Sequence, residues 1–81
     1  MQPLTAYPAG SKVKISAIMG GRGVKTRLEA LGLVPGVVVE VLKPAPGPVI
    51  VKLNSSRIVL GFGEAMKVYC ESASEALGEA V

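Results

Sequence analysis

Between Lys12 and Ile18 the chain alternates: Val13, Ile15 and Ala17 fall on one side, and Lys12, Lys14 and Ser16 on the other. A period of two marks a strand with one buried face. Gly20, Gly21 and Gly23 end the alternation, and Val24, Leu28 and Leu31 then recur at i, i+4 and i+7, with Lys25, Arg27 and Glu29 between them. That spacing predicts a short amphipathic helix, anchored to the core by Leu28 and Leu31. Gly32 follows the last helical position, where a left-handed residue closes a Schellman motif and Leu33 packs back on Leu28. Pro35-Gly36 predicts a type II turn, because proline presets φ and the glycine after it supplies the positive φ such a turn requires.

Val37 to Lys43 (VVVEVLK) is rich in β-branched residues and predicts a strand with Val37, Val39 and Val41 on one face. The prolines of PAPGP stop it, since they lack the amide donor. Val49 to Asn54 is the next strand, and Asn54-Ser55-Ser56 supplies the turn into a partner at Arg57 to Leu60, making a hairpin. Gly61 to Met66 reads as a turn or a one-turn helix, and Lys67 to Glu71 as a last strand with Val68 and Cys70 on one face. The expectation is an all-β fold of five strands and one helix. Such short strands between glycine and proline turns favour a small, strongly bent barrel, because closure limits exposed edges. Residues 72–81 carry too little apolar surface to fix themselves, and fraying or a weak helix over a barrel edge is expected there.

Size and composition restrict what this fold can do. A chain of 81 residues, 49% of them apolar, can fold without disulfides or metal. A domain of this size buries only about 60% of the surface its unfolded chain exposes. Cys70 is the single cysteine and histidine is absent, so neither a disulfide nor a His/Cys zinc site can be assembled. Cys70 lies in the apolar run MKVYC, the setting of a buried, inert thiol. The opening MQPLTAYPAG has neither a basic nor an apolar leader segment, and no stretch approaches a membrane span, so a cytoplasmic location is expected. The net charge of +3 conceals an asymmetry: Glu71, Glu75 and Glu79 follow Cys70, and residues 1–70 carry +6. A basic body steers toward acidic partners, whether nucleic acid, anionic membrane or acidic protein.

The run IMGGRGVKTRLEALGLVPG at Ile18–Gly36 invites a phosphate-loop reading, which its spacing rejects. With Lys25-Thr26 as the end of a Walker A motif, glycine is required at positions held by Met19 and Val24. The dinucleotide fingerprint fails as well, since Gly21-x-Gly23 would need a third glycine where Thr26 stands. Catalysis lacks its parts: there is no histidine, and Glu29, Glu40 and Glu64 fall on separate elements. No turn gathers several glutamates as hard ligands for a divalent cation, so no metal, cofactor or enzymatic role is expected. A small basic barrel could instead bind nucleic acid, but Tyr7, Phe62 and Tyr69 do not form a stacking platform. Arg22, Lys25 and Arg27 cluster at the glycine loop and the helix start, where free amides favour anions, and they are the candidate contacts to an acidic partner.

The run Leu28-Glu29-Ala30-Leu31-Gly32-Leu33-Val34-Pro35-Gly36 resembles the L-x-x-L-G-L-x-P-G core of the FeoA family, small cytoplasmic proteins of bacterial ferrous iron uptake. Pro8-Ala9-Gly10 before Val13-Lys14-Ile15 is similar to the family's opening L-x-P-G-x-x-x-x-I, with Ala9 inserted between proline and glycine. Pro46-Gly47-Pro48-Val49 and Leu60-x-x-x-x-Ala65-x-x-Val68 match its later turn and closing strand, so the likeness runs over roughly residues 4–71. The resemblance implies an SH3-like barrel spanning the chain as one domain. It also implies a non-enzymatic partner of FeoB, the membrane transporter that carries a cytoplasmic G domain. The phosphate loop would then be the partner's, and the chain would reach the inner face of the membrane through it. A homodimer is also compatible with the sequence. Leu28, Leu31, Gly32, Leu33, Pro35 and Gly36 read as structural members of the motif.

Overall fold

The computed structural model describes residues 1–73. Its strands are β1 (Gln2–Pro3), β2 (Lys12–Ile18), β3 (Val38–Lys43), β4 (Val49–Leu53), β5 (Ser56–Leu60) and β6 (Val68–Ser72). A 3-10 turn covers Leu4–Ala6, and two helices are present, α1 (Arg22–Ala30) and α2 (Phe62–Met66). The strands form one antiparallel sheet in the order β1-β6-β2-β3-β4-β5, curled into an SH3-like barrel. The sequence pattern yields five of the six strands. β1 is missed because two residues cannot display a period. Ser72, expected in a frayed tail, belongs to β6, and the remainder of that tail from residue 74 lies outside the described residues.

The core is wholly apolar. Val13 and Ile15 of β2, Val39 and Val41 of β3, Val49 and Val51 of β4, Ile58 and Leu60 of β5, and Val68 and Cys70 of β6 all point inward. No polar or charged residue is buried among the described residues. β3 to β6 contribute alternate residues, as the period of two requires. β2 departs from strict alternation. Ile15 pairs with Cys70 and Ala17 with Tyr69, so two steps on β2 match one on β6, and Ser16 is the extra residue of a β-bulge. The bulge turns Ile18 into the core in place of Ala17, whose expected inward position is therefore corrected.

Between β2 and β3 the motif folds as its residues dictate. The Gly32 amide donates to the Glu29 carbonyl at 2.9 Å and the Leu33 amide to the Leu28 carbonyl at 2.9 Å, the two bonds of a Schellman motif. Gly32 has φ +89°, a conformation that favours glycine, and a Cβ there would press on Cδ2 of Leu53 at 3.1 Å. In the Pro35-Gly36 turn the Val37 amide donates to the Val34 carbonyl at 3.2 Å. The turn is stitched to β2, because the Gly36 amide reaches the Ile15 carbonyl at 2.8 Å and the Ile15 amide reaches the Val37 carbonyl at 2.9 Å. Leu28 and Leu33 are buried, but Leu31 is 40% exposed. The expectation that Leu31 anchors the helix is thus corrected: it ends α1 as the C-cap residue, and the chain has begun to turn away before its side chain reaches the core.

At the N-terminus, Leu4 is buried and the Tyr7 hydroxyl donates to the Cys70 carbonyl at 2.8 Å, fastening the first segment to β6. The β4–β5 hairpin closes through Asn54 and Ser55, with Asn54 at φ 57°, a conformation its short polar side chain tolerates.

The difference between the two leucines is measurable. Leu28→Ala should lower stability by about 2–5 kcal/mol in urea unfolding. Leu31→Ala should stay within about 0.5 kcal/mol of the parent chain, as surface substitutions do. Equal losses would contradict the placement of the helix.

Candidate functional site

The glycine loop delivers the chain from β2 into α1 under close constraint. The Met19 amide donates to the Lys67 carbonyl at 2.7 Å, and Gly20 has φ +102°. A Cβ on Gly20 would lie 3.0 Å from Cδ of Lys67, so the lysine stem lies over the loop. Gly21 is the N-cap of α1, with no side-chain hydrogen bond to the first-turn amides and no acidic residue in that turn. Arg22 and Lys25 are exposed there, three residues apart and hence on one side of the helix. Uncapped amides and two cations give this end a positive potential with no internal anion to neutralise it.

Arg27 is placed differently. Its Nε donates to Oε2 of Glu64 at 2.8 Å across the gap between α1 and α2, with the arginine side chain 57% and the glutamate 23% exposed. The other carboxylate oxygen of Glu64 accepts from the Gly61 amide at 3.3 Å and so caps α2. Glu64 thus holds the start of one helix and the flank of the other. The structure brings Arg22 and Lys25 together, while Arg27 turns to the opposite flank of the Leu28 stripe. Lys25 and Glu29, one turn apart, line a cleft of about 330 Å³ with Ser16, Ala17, Ile18 and Pro35. Gly61-x-x-Glu64 has the spacing at which a glutamate reaches back to cap a helix, whereas its pairing with Arg27 is a tertiary contact with no local signal in the sequence.

Among the described residues, no group of three or more His, Cys, Asp or Glu side chains is placed to hold a metal ion. No helix among them is long and apolar enough to cross a membrane. Cys70 is buried in β6, and desolvation raises its thiol from the ordinary 9.0 to about 12.

Comparison with known proteins places this geometry among relatives. The sequence profile of the FeoA domain matches residues 2–72, from β1 through β6. The chain is 36% identical over 73 residues to Fe(2+) transport protein A of Methanocaldococcus jannaschii, covering 90% of this chain and 89% of that protein. Among solved structures, the crystal structure of an iron uptake regulatory protein, FeoA, superposes with a TM-score of 0.81 at 32% identity, over 86% of this chain and 95% of the other. A manganese-dependent transcriptional repressor gives a TM-score of 0.81 at 19% identity, over 88% of this chain and 41% of its own, a likeness of fold alone.

The buried thiol yields a pH dependence. The native state retains a proton that the unfolded chain releases above pH 9.0, so this contribution to stability is complete below 9.0 and is lost as pH rises toward about 12. Urea titrations across that window should show the decline, and Cys70→Ala should flatten it. At mildly alkaline pH a thiol reagent should modify Cys70 only after unfolding, and rapid labelling of the native protein would contradict its burial.

Proposed function

Since the chain belongs to the FeoA family, we propose that it serves ferrous iron transport as a non-enzymatic cytoplasmic accessory, binding an FeoB-type membrane transporter and regulating or stabilising it. The observation that carries this reading is the family match across residues 2–72, which takes in every strand and both helices of the described fold. The relative named as an Fe(2+) transport protein, matched over 90% of this chain, supplies the cargo. The glycine loop fits the role of a contact better than that of a nucleotide site. It lacks the phosphate-loop spacing but offers cations and an uncapped helix start to an acidic surface. Nucleotide chemistry then belongs to the G domain of the transporter.

In this reading Arg22 and Lys25 make first contact, and Arg27 joins by exchanging Glu64 for a carboxylate of the partner. That exchange conserves charge pairing, so α1 can be gripped without leaving an arginine unpaired. It also frees Glu64, whose cap on α2 links an event at one helix to the other.

Equilibrium binding to the purified full-length transporter and to its isolated G domain, at two salt concentrations and with GDP or a GTP analogue, tests the reading. Saturable, salt-sensitive binding is expected, and nucleotide dependence would identify regulation of the switch. The variant Arg22→Glu/Lys25→Glu/Arg27→Gln should keep the melting midpoint within a few degrees. It should slow association by at least about ten-fold, since such charges act mainly through encounter. A folded chain that binds neither the transporter nor its G domain would overturn the proposal.

A further inference from the structure

The charges at the helix start account for only part of the basic character of this molecule. A second set lies on the outer face of the sheet. In β2 to β5 the residues opposite in register are Lys12 with Glu40, Glu40 with Lys52, and Lys52 with Arg57, so these four side chains form one row across four strands. At the usual strand separation the row is about 14 Å long. Lys14 stands on the same face, two residues along β2 from Lys12, with Glu71 of β6 opposite it. Four cations against Glu40 and the neighbouring Glu71 leave this face net positive. The single ion pair among the described residues is Arg27–Glu64, so none of Lys12, Lys14, Lys52 or Arg57 is paired.

Folding accounts for the Lys12–Glu40–Lys52 part of the row, where neighbours carry opposite charges, but not for its Arg57 end. Lys52 and Arg57 are directly opposite on adjacent strands, where like charges repel and an acid at either position would serve the fold better. The same face exposes two aliphatic side chains, Val38 at 47% and Val59 at 56%, and Val38 borders a hollow of about 250 Å³ lined also by Lys12, Val39, Glu40, Lys52 and Asn54. None of the four strands contains an aromatic residue, so bases would find no ring to stack on. Cations spread over three strands, with exposed aliphatic side chains on the same face, suit a diffuse anionic surface. We propose that the outer face of β2–β5 binds the anionic headgroups of a lipid bilayer directly. This surface is separate from the Arg22–Lys25 end of α1, and its use does not depend on the transporter. One chain can therefore rest on the membrane with its sheet while its helix start remains available to a protein partner.

Flotation of the chain with phosphatidylcholine vesicles, with and without phosphatidylglycerol, at low and high salt, tests this. Binding to the phosphatidylglycerol vesicles alone, abolished by high salt, is expected. Lys52→Gln and Arg57→Gln should each weaken it about five-fold, as loss of one charge near an anionic bilayer does. Arg22→Gln/Lys25→Gln should leave it within about two-fold, because screening confines the interaction to charges near the surface. Absence of binding at low salt by the folded chain would overturn the proposal. So would equal losses in the helix-start variant, which would reduce the effect to net charge, or preferential binding of single-stranded RNA over the vesicles.

Discussion

Insertion of Leu28 into the barrel is the contact on which the arrangement of the functional surface depends. It is the one buried side chain of α1, and its carbonyl accepts the Leu33 amide that turns the chain back into the core. A nine-residue helix is too short to hold its own shape in water, so packing and end closure must fix it. Leu28 supplies the packing. Gly32 and the Pro35-Gly36 turn supply the closure, and two hydrogen bonds exchanged between Gly36–Val37 and Ile15 tie the whole segment to β2. The L-G-L-x-P-G motif is thus a device for setting one helix at one angle against a strand. Its chemistry is that of backbone conformation and burial, with no reacting group.

With the helix fixed, charge falls where the elements put it. The glycine loop presents Arg22 and Lys25 at an uncapped helix start, and the lysine stem of residue 67 lies over Gly20. On the far flank Glu64 holds Arg27 and also caps α2, so the two helices share one carboxylate. A partially exposed pair of this kind contributes little stability, on the order of 1 kcal/mol or less, and can be exchanged for an external partner at small cost. The outer face of the sheet carries a separate row of cations.

Much of this was legible in the residues themselves. β-branched runs, alternating positions and turn residues located β3 to β6 closely, and glycine and proline placement gave the Schellman closure and the turn after it. Ala17 and Leu31 show where the pattern misleads. A bulge at Ser16 shifts the phase of β2 by one residue, and nothing in KVKISAI distinguishes a bulged strand from a regular one. Leu31 keeps the helical period but sits at the point where the helix ends, so periodicity assigns it a face that the backbone has already left. The site was legible in composition but less so in geometry. Three basic residues close in sequence read as one cluster, and only the tertiary contact with Glu64 separates Arg27 from the other two. The basic sheet face could not be read locally, because its members come from three strands that the register brings together.

Hydrogen exchange of the chain with and without the purified transporter in neutral detergent examines the division of surfaces most directly, since it reports every amide at once. Slowed exchange confined to residues 19–28, with β4 and β5 unchanged, is the result expected of a partner seated at the helix start. Protection concentrated in β4 and β5, with the first turn of α1 exchanging as in the free chain, would place the protein partner on the sheet and contradict this division.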